Sequence, residues 1–143
     1  MLIKQISVFV ENKPGRLAEI SSILAEKNID IRALSIADTT DFGILRLIVN
    51  DPDGAESALK QAGLTVSITR VIGIGVTDRP GGLSGALKLL LKNGIAVEYM
   101  YAFIGRSKEE AYVILRVNDN ERAAKALSES GYTVLESSGV YGM

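Results

Sequence analysis

The feature that most constrains this chain is that it repeats itself. "VENKPGRL" runs from Val10 to Leu17, and "VTDRPGGL" runs from Val76 to Leu83, 66 positions later. "NIDI" at Asn28–Ile31 keeps the same offset to "GIAV" at Gly94–Val97. Beyond that the offset becomes 68: "VND" at Val49–Asp51 matches Val117–Asp119, and "GLTV" at Gly63–Val66 matches "GYTV" at Gly131–Val134. The two extra residues fall in "IGRSKEE", opposite the stretch between Ala37 and Phe42, where a hairpin loop tolerates a change of length. A 143-residue chain built this way is two copies of a unit of roughly seventy residues, 1–70 and 71–143.

Each copy spells β-α-β-β-α-β. Ile6, Val8 and Val10 alternate with Ser7 and Phe9, the pattern of a half-buried strand. After Pro14-Gly15, Leu17, Ile20 and Leu24 recur at helical spacing, with Arg16, Glu19, Ser22 and Glu26 turned away. Residues 29–37 and 43–49 are rich in strand formers and flank "DTTDF", a hairpin signal. "DPDGAESALKQAG" gives a second helix, with Asp51 or Asp53 at its N-cap and Gly63 past its end. In the second copy Leu83, Ala86, Leu87 and Leu90 form the helical stripe, with Leu89 off it toward solvent or a partner. This order predicts two ferredoxin-like α/β (α+β) sandwiches in tandem, each an antiparallel sheet with both helices on one face. The opposite faces carry Phe9, Ile44, Ile48, Tyr112 and Ile114, a parity cluster that suits packing on another sheet. "LTVSITRVIGIGV" joins the copies without Pro or a Ser/Gly spacer, so one copy's last strand passes directly into the next copy's first.

Composition narrows the function. There is no Cys and no His, which removes disulfides, zinc sites and nucleophile–His pairs. No metal site, cofactor or catalytic constellation is expected. A net charge of −1 does not suit a nucleic-acid binder. No stretch has the length of a membrane span or the form of a signal peptide, so the expected setting is the cytoplasm, with no membrane partner. "GIGVTDRPGG" has glycines, but they lie within a strand and lack the spacing of a phosphate-binding loop.

The Pro-Gly turn has a chemistry of its own. It places unpaired N–H groups and the positive end of a helix behind Gly15, Arg16 and Leu17, an anion seat. Asn12 can donate and accept, whereas Asp78 only accepts when ionised. A carboxylate on the N–H groups with an ammonium at Asn12 or Asp78 describes a free amino acid. Pro-Gly also makes an economical turn, and Asn12 and Asp78 also suit helix caps. The residues alone leave both readings open.

The order β-α-β-β-α-β, with V-x-[DN]-x-P-G-x-L across the first turn, resembles the ACT domain, a small regulatory module that binds amino acids. Val10, Asn12, Pro14, Gly15 and Leu17 carry the motif in one copy; Val76, Asp78, Pro80, Gly81 and Leu83 carry it in the other. The resemblance spans the chain, as a free-standing tandem pair. It implies a free amino acid or similar small zwitterion as ligand, held where modules meet, and a homo-oligomer, such as a dimer, acting on a metabolic enzyme or regulator. The implied ligand residues are Asn12, Lys13, Pro14, Gly15, Arg16 and Leu17 with Ser35, Ile36 and Ala37. In the second copy they are Asp78, Arg79, Pro80, Gly81, Gly82 and Leu83 with Met100, Tyr101 and Ala102, and the resemblance implies that the turn of one module faces the strand residues of another. Small Ala33, Ser35 and Ala37 against bulky Tyr99, Tyr101 and Phe103 imply unequal pockets, unless the aromatics serve an interface. Gly82 in place of Arg16 removes a cation from the second turn and is expected to leave room. The competing readings are an assembly module without ligand and, less favoured, a small ferredoxin-like enzyme.

Overall fold

The computed structural model describes residues 2–38, 41–104 and 109–143. Part of "IGRSKEE" and the middle of "DTTDF", both read above as hairpin loops, lie outside the described residues. The chain divides into two compact units. One holds Lys4–Thr69 with Tyr141–Met143, and the other Arg70–Val140 with the N-terminal residues up to Ile3.

The first unit contains β1 (Ile3–Glu11), α1 (Arg16–Glu26), β2 (Ile31–Asp38), β3 (Phe42–Val49), α2 (Pro52–Gln61) and the start of β4 (Thr65–Thr77). Its strands lie in the order β2-β3-β1-β4, with β3 antiparallel to both neighbours. The second unit uses the rest of β4, then α3 (Gly82–Lys92), β5 (Val97–Ala102), β6 (Glu110–Val117), α4 (Asn120–Glu129) and β7 (Thr133–Val134). Its order is β5-β6-β4-β7, again antiparallel. A short α5 (Ser137–Tyr141) follows. Both units are thus β-α-β-β-α-β ferredoxin-like sandwiches with antiparallel sheets, as the periodicity predicts.

The same positions build both cores. Ile6, Val8 and Val10 of β1 meet Ile20 and Leu24 of α1, Leu45 and Leu47 of β3, and Ala55 and Leu59 of α2. Ile72, Ile74 and Val76, Ala86 and Leu90, Val113 and Leu115, Ala123 and Leu127 repeat that set. Asp51 caps α2 by accepting from the Gly54 N–H at 3.0 Å, and Asp119 caps α4 by accepting from Arg122 at 3.1 Å. Leu89 packs against the second core, because it stands three residues from Ala86 and so falls within the stripe; Leu91, on the same helix, is exposed at 78%. On the faces away from the helices, Phe9 and Ile44 are exposed, while Ile48 and Ile114 are fully enclosed within the chain.

Candidate functional site

The two strand-to-helix turns share one backbone. Lys13 N–H donates to Glu11 O at 2.8 Å and Arg16 N–H to Lys13 O at 3.3 Å. In the second turn Arg79 N–H donates to Thr77 O at 2.9 Å and Gly82 N–H to Arg79 O at 3.0 Å. Asn12 N–H ties the first turn to Asp41 O at 2.8 Å, and Asp78 N–H ties the second to Glu109 O at 3.0 Å. The N-cap residues are Gly15 and Gly81, at φ 86° and 87°, a left-handed conformation that costs other L-residues steric strain. Both caps are glycines, which have no side chain to bond the helix start. Each helix start also presents the positive end of its helix dipole at the turn.

The first turn opens on a cavity of about 270 Å³ lined by Val10, Glu11, Asn12, Lys13, Arg16, Leu17, Ile36, Asp38 and Gly43. Strand register explains the floor. Gly43 of β3 pairs with Val10 on one side and Asp38 on the other, so these three form one row across the sheet. Directly paired residues share a face, and that row faces the helices, as the burial of Val10 in the core shows. Asp38, at the end of edge strand β2, thereby joins the turn at the mouth of the cavity. The turn's cations are held by carboxylates: Lys13 Nζ lies 2.7 Å from Glu11 Oε2, and Arg16 Nη1 lies 3.1 Å from Glu19 Oε2. The hydrogen bond and charge of Lys13 hold the exposed Glu11 carboxyl below its ordinary pKa, with a smaller contribution from Arg16.

Of the residues singled out in the first copy, the structure brings Asn12, Lys13, Arg16, Leu17 and Ile36 together. Pro14 and Gly15 shape the turn without lining the cavity. Ser35 and Ala37 stand opposite Arg46 and Ile44 in β3, on the face turned away from the helices. Ser35 and Ala37 therefore lie outside this cavity: strands alternate, and the helix-side positions of β2 are Leu34, Ile36 and Asp38. Val10, Glu11, Asp38 and Gly43 were not among the expected residues. Stepping two positions from Ile36 along the strand was the signal that would have found Asp38.

In the second copy Asp78, Arg79, Pro80, Gly81, Gly82 and Leu83 form the equivalent turn. Met100 and Ala102 take the helix-side positions of β5, opposite Leu115 and Val113, and Met100 packs against the core. Tyr101 lies opposite Ile114 on the other face and is buried. Tyr99 shares that face, opposite Arg116, and buried Phe103 meets the Tyr112 ring edge-on at 6.0 Å. The expectation that Gly82 leaves room is corrected: a Cβ there would stand 2.0 Å from the Thr77 carbonyl oxygen, so the backbone itself fills the space.

Among the described residues no group of three or more Asp and Glu is placed to hold a metal ion. None of the described helices is long and apolar enough to cross a membrane.

Two ferredoxin-like units, each with a Pro-Gly turn at the start of its first helix, define a tandem of small α/β modules of the ACT type. The chain belongs to the ACT domain pair family, whose model matches residues 1–140. It is similar to protein BT0572 from Bacteroides thetaiotaomicron, at 41% identity and a TM-score of 0.94, over 100% of this chain and 98% of that one. It also resembles the ligand-free regulatory subunit of aspartate kinase from Thermus thermophilus, at 18% identity and a TM-score of 0.67, covering 91% and 94% of the two chains. The regulatory subunit of aspartate kinase from Thermus flavus follows at 17% identity and a TM-score of 0.62, covering 89% and 91%. At those identities the aspartate kinase likenesses show the fold. The chain matches none of the curated proteins.

Proposed function

We propose that this protein is an amino-acid sensor whose ligand sits at the β1–α1 turn of the first unit, and that the modules, with their boundary in the chain near residue 70, act as a regulatory pair rather than as an enzyme. The observation that carries this reading is the cavity at the first turn, where Asn12, the first residues of α1 and Asp38 share one mouth. The helix start and Arg16 attract a carboxylate, and Asp38 and Asn12 attract an ammonium, two charges of opposite sign a short distance apart. Family membership supports the reading, as does the regulatory role of the aspartate kinase subunits that share the fold. The regulated target is a metabolic enzyme or regulator, in a cytoplasmic setting, with the protein as a homo-oligomer such as a dimer.

Isothermal titration against the twenty common amino acids tests it. The expected result is saturable binding in the micromolar range, around −8 kcal/mol. Silence toward all twenty contradicts it.

A second reading, an assembly module without ligand, draws on one observation. Phe9 and Phe42 stack at 4.9 Å between ring centroids and are both exposed, beside exposed Ile44. Light scattering with and without amino acids separates the two, because only the sensor changes its behaviour on adding ligand.

A further inference from the structure

The turn cavity does not end at Leu17 and Ile36. Those two side chains also line a second hollow, of about 370 Å³, between the flank of α1 and the edge strand β2. Its other walls include Ala18 and Ser21 of α1 and Leu34 of β2, over a floor of Leu45 and Leu47. The chemistry of the two hollows differs sharply. The turn end carries Asn12, Lys13, Arg16 and Asp38, whereas Ser21 is the one polar side chain in the other. Leu17, Leu34 and Ile36 are 50%, 46% and 45% exposed, and all three border this hollow. Three large apolar side chains are thus left half in water along one groove, which opens beside a mouth that suits a zwitterion.

We infer that the sensed ligand is an amino acid with a bulky apolar side chain, its carboxylate and ammonium held at the turn and its side chain laid in the groove between α1 and β2. This rests on the sensor reading above and adds the ligand's class. A charged side chain in the groove would meet no partner of opposite sign and would lose its water. A small one would leave Leu34 and Ile36 exposed. An apolar one covers them, at roughly a fourfold gain in affinity for each methylene buried. The second unit lacks the combination. Met100 and Ala102 stand where Leu34 and Ile36 do, and exposed Ile104 stands where Asp38 does.

Titration of the full chain with L-leucine, L-phenylalanine, L-alanine, L-aspartate and L-lysine tests the inference. Leucine is expected to bind about 60-fold more tightly than alanine, for three further carbons buried, and ahead of both charged amino acids. Tightest binding by aspartate or lysine overturns the inference and leaves the sensor reading standing. No binding by any of the twenty common amino acids overturns the sensor reading itself.

Ala18 is exposed on α1, so Ala18→Phe fills the groove from the helix side. It is expected to weaken leucine binding about tenfold or more while alanine changes by less than about threefold. Equal losses for both ligands overturn the inference. Leu34→Asp provides the same comparison from the strand side if Ala18→Phe does not fold. If Leu34→Asp instead breaks a dimer in light scattering and leaves leucine affinity unchanged, the groove belongs to a second copy of the chain, and the inference is overturned.

Discussion

The turn of the first unit opens onto a hollow that reaches Asp38, while the turn of the second runs up against its own backbone at the Thr77 carbonyl. The frames agree closely: the N-cap glycines sit at φ 86° and 87°, and each turn is closed by the same pair of backbone hydrogen bonds. The side chains do not agree. Arg16 stands against Gly82, Asn12 against Asp78, and Asp38 against Ile104. A similar exchange occurs on the open face. Phe9 stacks on Phe42 in the first unit, whereas in the second Gly75 lies beneath the Glu110 carboxylate, which accepts from Thr133 Oγ1 at 3.1 Å. The duplicated turn is preserved, as its backbone geometry demands, while the surrounding side chains differ. A preserved Pro-Gly motif is therefore evidence of a fold position. On the sensor reading proposed above, the residues beside it carry the specificity.

Exchanging residues between the two turns is the most severe way to test this comparison. Gly82→Arg forces a Cβ into the Thr77 carbonyl and is expected to destabilise the second unit by about 2–3 kcal/mol in urea unfolding. The reciprocal Arg16→Gly is expected to cost under about 1 kcal/mol. Equal costs would mean that the turns are interchangeable after all. Next in size, Gly15→Val and Gly81→Val place a β-branched residue at positive φ and should each cost about 1–3 kcal/mol. A gap of more than about 1 kcal/mol between them would show that the frames differ more than their angles do.

Asp38→Ile imposes the second unit's residue on the first. It should weaken amino-acid binding about tenfold, from loss of a charged hydrogen-bond partner, while stability stays within about 0.5 kcal/mol. Unchanged affinity would remove Asp38 from the site. The smallest effect belongs to Glu11, whose place in the second unit is taken by Thr77. Its carboxyl is lowered in the folded state by Lys13, so the unfolded chain takes up this proton first as pH falls. The contribution is present above the ordinary carboxylate pKa and is lost as pH drops through the lowered folded value. Glu11→Gln should slightly flatten the acid limb of the stability curve, and Thr77→Ala should leave it unchanged.

Much of this architecture is legible in the residues, because it depends on periodicity. Ile6, Val8 and Val10 alternate, Ile20 and Leu24 recur a helical turn apart, and their counterparts do the same in the second copy. The wall of the site is harder to read. On edge strand β2 the core lies under neither parity completely: Leu34 and Ile36 face the helix side yet remain half exposed, while Ala33 on the other face is buried. Alternation that normally reports inside against outside loses its meaning at such an edge. Gly82 misleads for a different reason, since a missing side chain reads as space until the carbonyl that fills it is located. The C-terminus is harder still. Tyr141 belongs with the first unit, its hydroxyl accepting from the Lys4 N–H at 2.9 Å and its carbonyl accepting from Arg32 at 3.0 Å, and no local pattern announces bonds across so many residues.

The central claim is that the first turn, with its flanking groove, is where an amino acid binds. Amide chemical-shift mapping of the labelled protein during titration with L-leucine tests it most directly. The account predicts saturable shifts at Asn12–Ala18 and at Leu34–Asp38. Saturable shifts confined to Asp78–Leu83 and Met100–Ile104, with the first set unmoved, would contradict it.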